Sequence, residues 1–135
     1  MVRIKDIRLK DNDYCNGWYF ITIVTNFRKK FLDENKPLIE AELLSMNSIP
    51  GVTIDYYVIM PDHVHLIIGL ENSSFPLGEI LRRFKAKTSK LTSEKLWQPN
   101  YYEHGIRNEE ALNKIREYII NNPAAELLKF SQFYK

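Results

Sequence analysis

At 135 residues the chain is long enough for one domain with its own hydrophobic core, so no disulfide or metal staple is required. Its 44% hydrophobic and 27% charged residues are ordinary for a soluble globular protein, and a net charge of +2 is too small to establish a polyanionic partner. The single cysteine, Cys15, excludes an intramolecular disulfide and a cysteine metal cluster. The charged start MVRIKDIRLKDNDY has no signal-peptide block, and no run reaches the roughly 18 apolar residues of a membrane span, so the expectation is a cytoplasmic protein with no membrane partner.

The first predicted element is a strand over WYFITIVT, residues 18–25, which is rich in aromatic and β-branched side chains. KPLIEAELLSM, residues 36–46, carries apolar residues at 38, 39, 43 and 44 with Pro37 near its start, the pattern of a short helix. VTIDYYVIM and HVHLIIGL then form two strands that meet at Pro61-Asp62, which predicts a hairpin. A strict two-residue turn pairs Met60 with His63 and sets Val58 beside His65; a one-residue slip brings Tyr57 and Ile59 there instead. A second helix is predicted from Leu77 to Leu96, and a short strand over YYEHGIR, residues 101–107. The last helix has Asn108 as its N-cap, Glu109 and Glu110 in its first turn, and Pro123 at its end.

No linker or repeat divides the chain, so residues 1–135 are read as a single domain. The order β-α-β-β-α-β-α predicts an α+β, ferredoxin-like split β-α-β fold: an antiparallel sheet with helices on one face, plus a C-terminal helix. Such a sheet leaves its second face open for solvent or for a site.

Two of the three histidines fall one residue apart, in MPDHVHLII. Alternate residues of a strand share a face, so His63 and His65 project together while Val64, Leu66 and Ile68 point toward the helices. The expected picture is an apolar back with an exposed histidine pair, and two imidazoles so placed can share a divalent ion if a third ligand is supplied. A pair of surface or hydrogen-bonded histidines is the plain alternative. Cysteine-based zinc sites and an H-E-x-x-H helix are absent, and the histidines lack the separated H-x-[ST] strands of two-histidine phosphoesterases.

In NEEALNKIREYIINNP, Leu112, Ile115 and Ile119 form the stripe that packs on the sheet. Tyr118 lies beside that stripe with Asn122 one turn further on. A tyrosine hydroxyl next to an amide oxygen can serve a metal-bound phosphate, although a packing tyrosine followed by a helix stop explains the same spacing. From Glu79 to Lys95, six basic residues stand against two acidic ones, a local +4 that includes Arg82, Arg83, Lys85 and Lys87. Such a cluster suits DNA phosphates, or is a solvated helix face. Tyr56, Tyr57, Tyr101 and Tyr102 are candidates for base stacking or for the core.

The blocks YVIMPDHVHLII, WQPNYYEHGIRNEE and IREYIINNP, in this order and with DYCNGWYFITIVT before them, resemble the REP-associated tyrosine transposases of the HUH single-strand transposase superfamily. The likeness runs from about residue 8 to residue 124. It implies that His63, His65 and Asn122 bind a divalent metal, Mg²⁺ or Mn²⁺, and that Tyr118 is the nucleophile. It further implies single-stranded DNA as partner, at palindromic hairpins, with a 5′-phosphotyrosine intermediate and a protein acting as monomer or homodimer. Arg107 joins the DNA-binding candidates, and the block around His104 is a family feature without an assigned role. Two other functions remain open from sequence: a non-catalytic nucleic-acid-binding domain, and a metal-dependent hydrolase that uses water.

Overall fold

A computed structural model of the chain describes residues 14–121. It contains β1 (Gly17–Val24), α1 (Leu32–Ser45), β2 (Val52–Met60), β3 (His63–Leu70), α2 (Leu77–Thr92), β4 (Tyr102–Ile106) and α3 (Glu109–Asn121). The four strands form one antiparallel sheet in the order β2-β3-β1-β4. The expected α+β, ferredoxin-like arrangement is therefore the observed one.

Alternation along the strands divides the core in two. Ile21, Ile23, Val64, Leu66, Ile68 and Leu70 face α1 and α2, where they meet Ile39, Leu43, Leu77, Ile80, Leu81 and Phe84. Trp18, Phe20 and Ile67 face the other way and pack with Ile106 and with Leu112, Ile115, Tyr118 and Ile119 of α3. Both faces of the central strands are thus apolar, and β1 and β3 are buried throughout. The second face is not open, as the sequence suggested, because the stripe of α3 covers it.

One glycine is required by this packing. Gly69 lies opposite Trp18, and a Cβ at position 69 would sit 3.0 Å from the indole ring. The indole occupies the space a side chain would need, so β3 presents bare backbone there.

The hairpin register is the strict one: Met60 pairs with His63 and Val58 with His65. A register shift between Ile54 and Tyr57 absorbs the irregularity further along β2. Helix α1 begins at Leu32, four residues before the sequence pattern suggested, so Pro37 stands inside it rather than at its start. Helix α2 stops at Thr92 rather than Leu96 because Ser93 adopts a left-handed conformation, φ 57°, which turns the chain back. Leu96 and Trp97 then lie buried, with Trp97 bridged to Thr25 and its indole Nε1 donating to Thr88 Oγ1 at 2.8 Å. No helix of the described residues is long and apolar enough to cross a membrane.

Candidate active site

His63 and His65 lie on the face of the sheet that α3 covers. Their rings are 4.7 Å apart between centroids, at an interplanar angle of 71°. They are not exposed as the strand pattern suggested: relative exposure is 5% for His63 and 2% for His65. The reason is the same one that closes the second face: Phe20 and Tyr118 of α3 pack on the His65 ring, and His63 packs on His65 in turn.

Each imidazole is oriented through Nδ1. His63 Nδ1 is 2.7 Å from Asp62 Oδ1, and the other carboxylate oxygen of Asp62 accepts from Arg28 at 3.1 Å. His65 Nδ1 is 2.9 Å from Thr22 Oγ1, on the adjoining strand directly across the ladder. The neutral tautomer that donates from Nδ1 to this carboxylate presents Nε2 as the acceptor. That Nε2 is buried and makes no hydrogen bond among the described residues. A buried acceptor aimed at no protein donor, on a ring fixed by a carboxylate, is the usual construction of a metal-binding histidine.

The electrostatics agree. Burial, and secondarily the neighbouring His63, push the His65 pKa down to about 3, so this ring is neutral at physiological pH and suited to coordination. For Asp62, burial acts upward on the pKa, but the hydrogen bonds and charges of His63 and Arg28 outweigh it and hold the carboxyl below its ordinary value. Asp62 therefore stays ionised beside His63.

Helix α3 brings the tyrosine to this pair. Asn108 caps it as expected, its Oδ1 accepting the Ala111 N–H at 2.8 Å. Arg116 fixes the middle of the helix to β2 through two bonds to Asp55, at 2.7 and 2.8 Å. Tyr118, 8% exposed, rests its ring 5.7 Å from that of His65 and edge-on to Phe20 at 6.2 Å. Burial raises its pKa above the ordinary 10, so the phenol is protonated at neutral pH. Asn122 lies outside the described residues. Within them, no third histidine, cysteine or carboxylate completes a metal-binding cluster with the pair.

The other sequence candidates lie elsewhere. Arg82 and Arg83 both pair with Glu79, and Arg83 also covers the Phe75 ring at 3.9 Å. Lys85 donates to the carbonyls of Gln98, Pro99 and Asn100, and Lys87 pairs with Glu42 at 3.5 Å. All four belong to α2, on the opposite layer of the sheet from the histidines. Tyr57 is committed to Glu40 of α1 at 2.6 Å, whereas Tyr102 is 48% exposed. His104 pairs across the ladder with Phe20, which puts it on the histidine face near the β4 edge, and burial together with Arg107 lowers its pKa. Arg107 itself is exposed just beyond β4.

Sequence reasoning missed Thr22, Asp62, Arg28, Asp55 and Arg116. Asp62 was adjacent to the histidines and chemically apt; Thr22 becomes visible only once β1 is paired with β3.

A sequence profile of the family described as Transposase IS200 like matches residues 13–122. An uncharacterized protein of Haemophilus influenzae is 31% identical to the chain, with 88% of this chain and 87% of that protein covered. A REP-associated tyrosine transposase of Escherichia coli K12 is 26% identical, over 82% of this chain and 68% of the relative. Among solved structures, that of a REP-associated tyrosine transposase bound to a REP hairpin superposes with a TM-score of 0.72 at 24% identity. The match covers 87% of this chain and 73% of that one, and the two share the fold.

Proposed function

This chain belongs to the IS200-like transposase family, and on that premise we propose that it is a metal-dependent single-strand DNA endonuclease and strand transferase acting at hairpin-forming repeats. Family membership makes it a DNA-processing enzyme; the residue roles and the substrate are our reading. The observation that carries it is the packing of Tyr118 against His65, which unites the only nucleophile candidate of α3 with the histidine pair of β3.

In this reading His63 and His65 hold the metal through Nε2, with Asn122 as the third protein ligand. When bound there, Mg²⁺ or Mn²⁺ supplies Lewis-acid polarisation of the scissile phosphate. The chain's own residues do the rest. Asp62 and Thr22 fix the imidazoles, and Phe20 and α3 keep bulk water from the rings. Tyr118 Oη attacks phosphorus, a Tyr–O–P bond forms, and the P–O3′ bond breaks to leave a 3′-hydroxyl. The phenolic proton leaves Tyr118 as the bond forms and the departing 3′ oxygen takes up one proton, so the step is balanced in protons. Attack of a 3′-hydroxyl on the phosphotyrosine then releases Tyr118 and joins the strands, so the ester bond energy is conserved.

Incubation with an end-labelled hairpin oligonucleotide bearing unpaired flanks, in Mg²⁺ or Mn²⁺, tests this on a denaturing gel. The expected product is a covalent adduct that Tyr118→Phe abolishes. Cleavage that persists in Tyr118→Phe would instead indicate a hydrolase, and binding without cleavage a non-catalytic DNA-binding domain.

A further inference from the structure

The turn after β1, Asn26-Phe27-Arg28-Lys29-Lys30, takes no part in the chemistry above beyond the contact of Arg28 with Asp62. Its conformation is unusual for its composition. Phe27 is 81% exposed, and both Phe27 and Arg28 have positive φ, +55° and +54°. Residues with a Cβ avoid that region, and an exposed phenyl ring gains no burial that would offset it. Strain held without a packing benefit is characteristic of a surface kept for a ligand.

The turn is nevertheless firmly built. Thr25 N–H donates to the Asp62 carbonyl at 3.0 Å, Thr25 Oγ1 donates to the Lys29 carbonyl at 2.7 Å, and Leu32 N–H donates to the Pro61 carbonyl at 3.0 Å. With the Arg28–Asp62 ion pair, these bonds fasten the turn to the hairpin tip whose next residue is His63. Phe27 is thereby flanked by Arg28, Lys29 and Lys30, all exposed, at the same end of the sheet as the histidine pair. The cations of α2 are on the other layer and largely engaged by Glu79, Glu42 and backbone carbonyls.

We infer that the 26–30 turn grips the unpaired DNA strand beside the scissile phosphate, Phe27 stacking on one unpaired base while Lys29 and Lys30 hold neighbouring phosphates. The chemistry selects a single strand over a duplex, because a phenyl face needs a base face that is not already stacked. The positive charge of the turn complements the strand's phosphates. This inference rests on the proposed role of His63, His65 and Tyr118.

The test compares two fluorescent hairpins, one with an unpaired flank and one without, and places 2-aminopurine in the flank as a stacking reporter. Phe27→Gly is expected to weaken binding of the flanked hairpin by roughly 5- to 150-fold, the range of one base–aromatic stack. It should also abolish the 2-aminopurine quenching and leave the blunt hairpin unaffected. Because glycine accepts positive φ and no burial is lost, the variant should melt no lower than the wild type. Phe27→Trp should keep the quenching, and Lys29→Gln with Lys30→Gln should make flanked binding less steeply salt-dependent. The inference is overturned if Phe27→Gly binds the flanked hairpin like the wild type, or loses both hairpins equally. A wild-type Tyr118 adduct alongside an unaffected Phe27→Gly sinks the turn alone. Absence of both adduct and flank preference in the wild type sinks the underlying function, and this inference with it.

Discussion

Asp62 is expected to set the metal affinity of His63 although it touches no metal itself. Its carboxylate accepts from His63 Nδ1 at 2.7 Å, and the two side chains are only 6% and 22% exposed for the histidine and the aspartate, so the bond is short, charge-assisted and poorly screened. Removing it frees the ring to rotate and makes Nε2 a weaker base. Comparable changes at histidine metal sites cost about 10- to 100-fold in affinity, or about 1.4–2.7 kcal/mol. Asp62→Ala should therefore weaken Mn²⁺ binding by that factor. Asp62→Asn keeps an acceptor for the Nδ1 proton while losing the charge, so its loss should be smaller. The Asp62 carbonyl that anchors Thr25 is backbone and survives both changes. Titration calorimetry of the metal-free protein with Mn²⁺ gives the constants, with His63→Ala as the control for loss of a ligand. Wild-type binding that Asp62→Ala leaves intact would refute the reasoning, as would an asparagine variant weaker than the alanine one.

Metal-free protein should also lose stability in acid through His65. Its pKa is about 3 in the folded state against 6.5 unperturbed, so as pH falls the unfolded chain takes up the proton first. The contribution is complete above pH 6.5 and is lost at about 1.4 kcal/mol per unit as pH drops toward 3, or roughly 2 kcal/mol between pH 7 and pH 5. Urea midpoints in EDTA should show a shallower acid loss in His65→Gln; an identical slope would rule this out. Arg116→Ala leaves the 8%-exposed Asp55 carboxylate without its partner and should cost roughly 2–4 kcal/mol, with faster amide exchange along α3. A loss below about 0.5 kcal/mol would mean that the bridge does not anchor the helix.

Much of this architecture is legible in the sequence because its periodicities are clean. The alternation of VHLII and WYFITIV gives β3 and β1 their faces, and Pro61-Asp62 marks the hairpin but leaves two registers open, between which the observed pairing of Val58 and Met60 with the histidines decides. Asn108 announces the start of α3 by its side-chain chemistry alone. The burial of the histidines is not legible, because strand period says that two residues share a face and nothing about what covers it. That required the stripe of α3 and the aromatic residues Trp18 and Phe20 to be placed on one side of the same sheet. The basic run of α2 misleads for a related reason: a count of charges ignores partners, and Glu79 takes two of the arginines while three loop carbonyls take Lys85. The cations beside the histidines, in Arg28-Lys29-Lys30, form too short a run to stand out until the turn is docked on Asp62.

Burial of Tyr118 imposes a condition on any reaction at this site. In the proposed reaction a phosphodiester would have to come between the phenol and the histidines, where the rings of Tyr118 and His65 now pack against each other. Releasing all of α3 would expose Leu112, Ile115 and Ile119 and break the Arg116–Asp55 bridge, each a loss on the order of 1.5–4 kcal/mol. Lifting only the turn that carries Tyr118 forfeits an aromatic contact of about 0.5–1.5 kcal/mol and part of the burial of Tyr118 and Ile119, while Leu112, Ile115 and the Arg116–Asp55 bridge stay in place. Arg116 precedes Tyr118 by two residues, so the bridge can hold the N-terminal two-thirds of the helix on the sheet while its last turn yields. Opening is therefore cheapest at the end of α3, and that is where the cleft lined by Val58, Ile119 and Ile120 already lies beside the cross-strand neighbour of His65. The same division lets one helix be both anchor and movable arm: its first turns fix the register of Tyr118 on the sheet, and its last turn is the part that can yield.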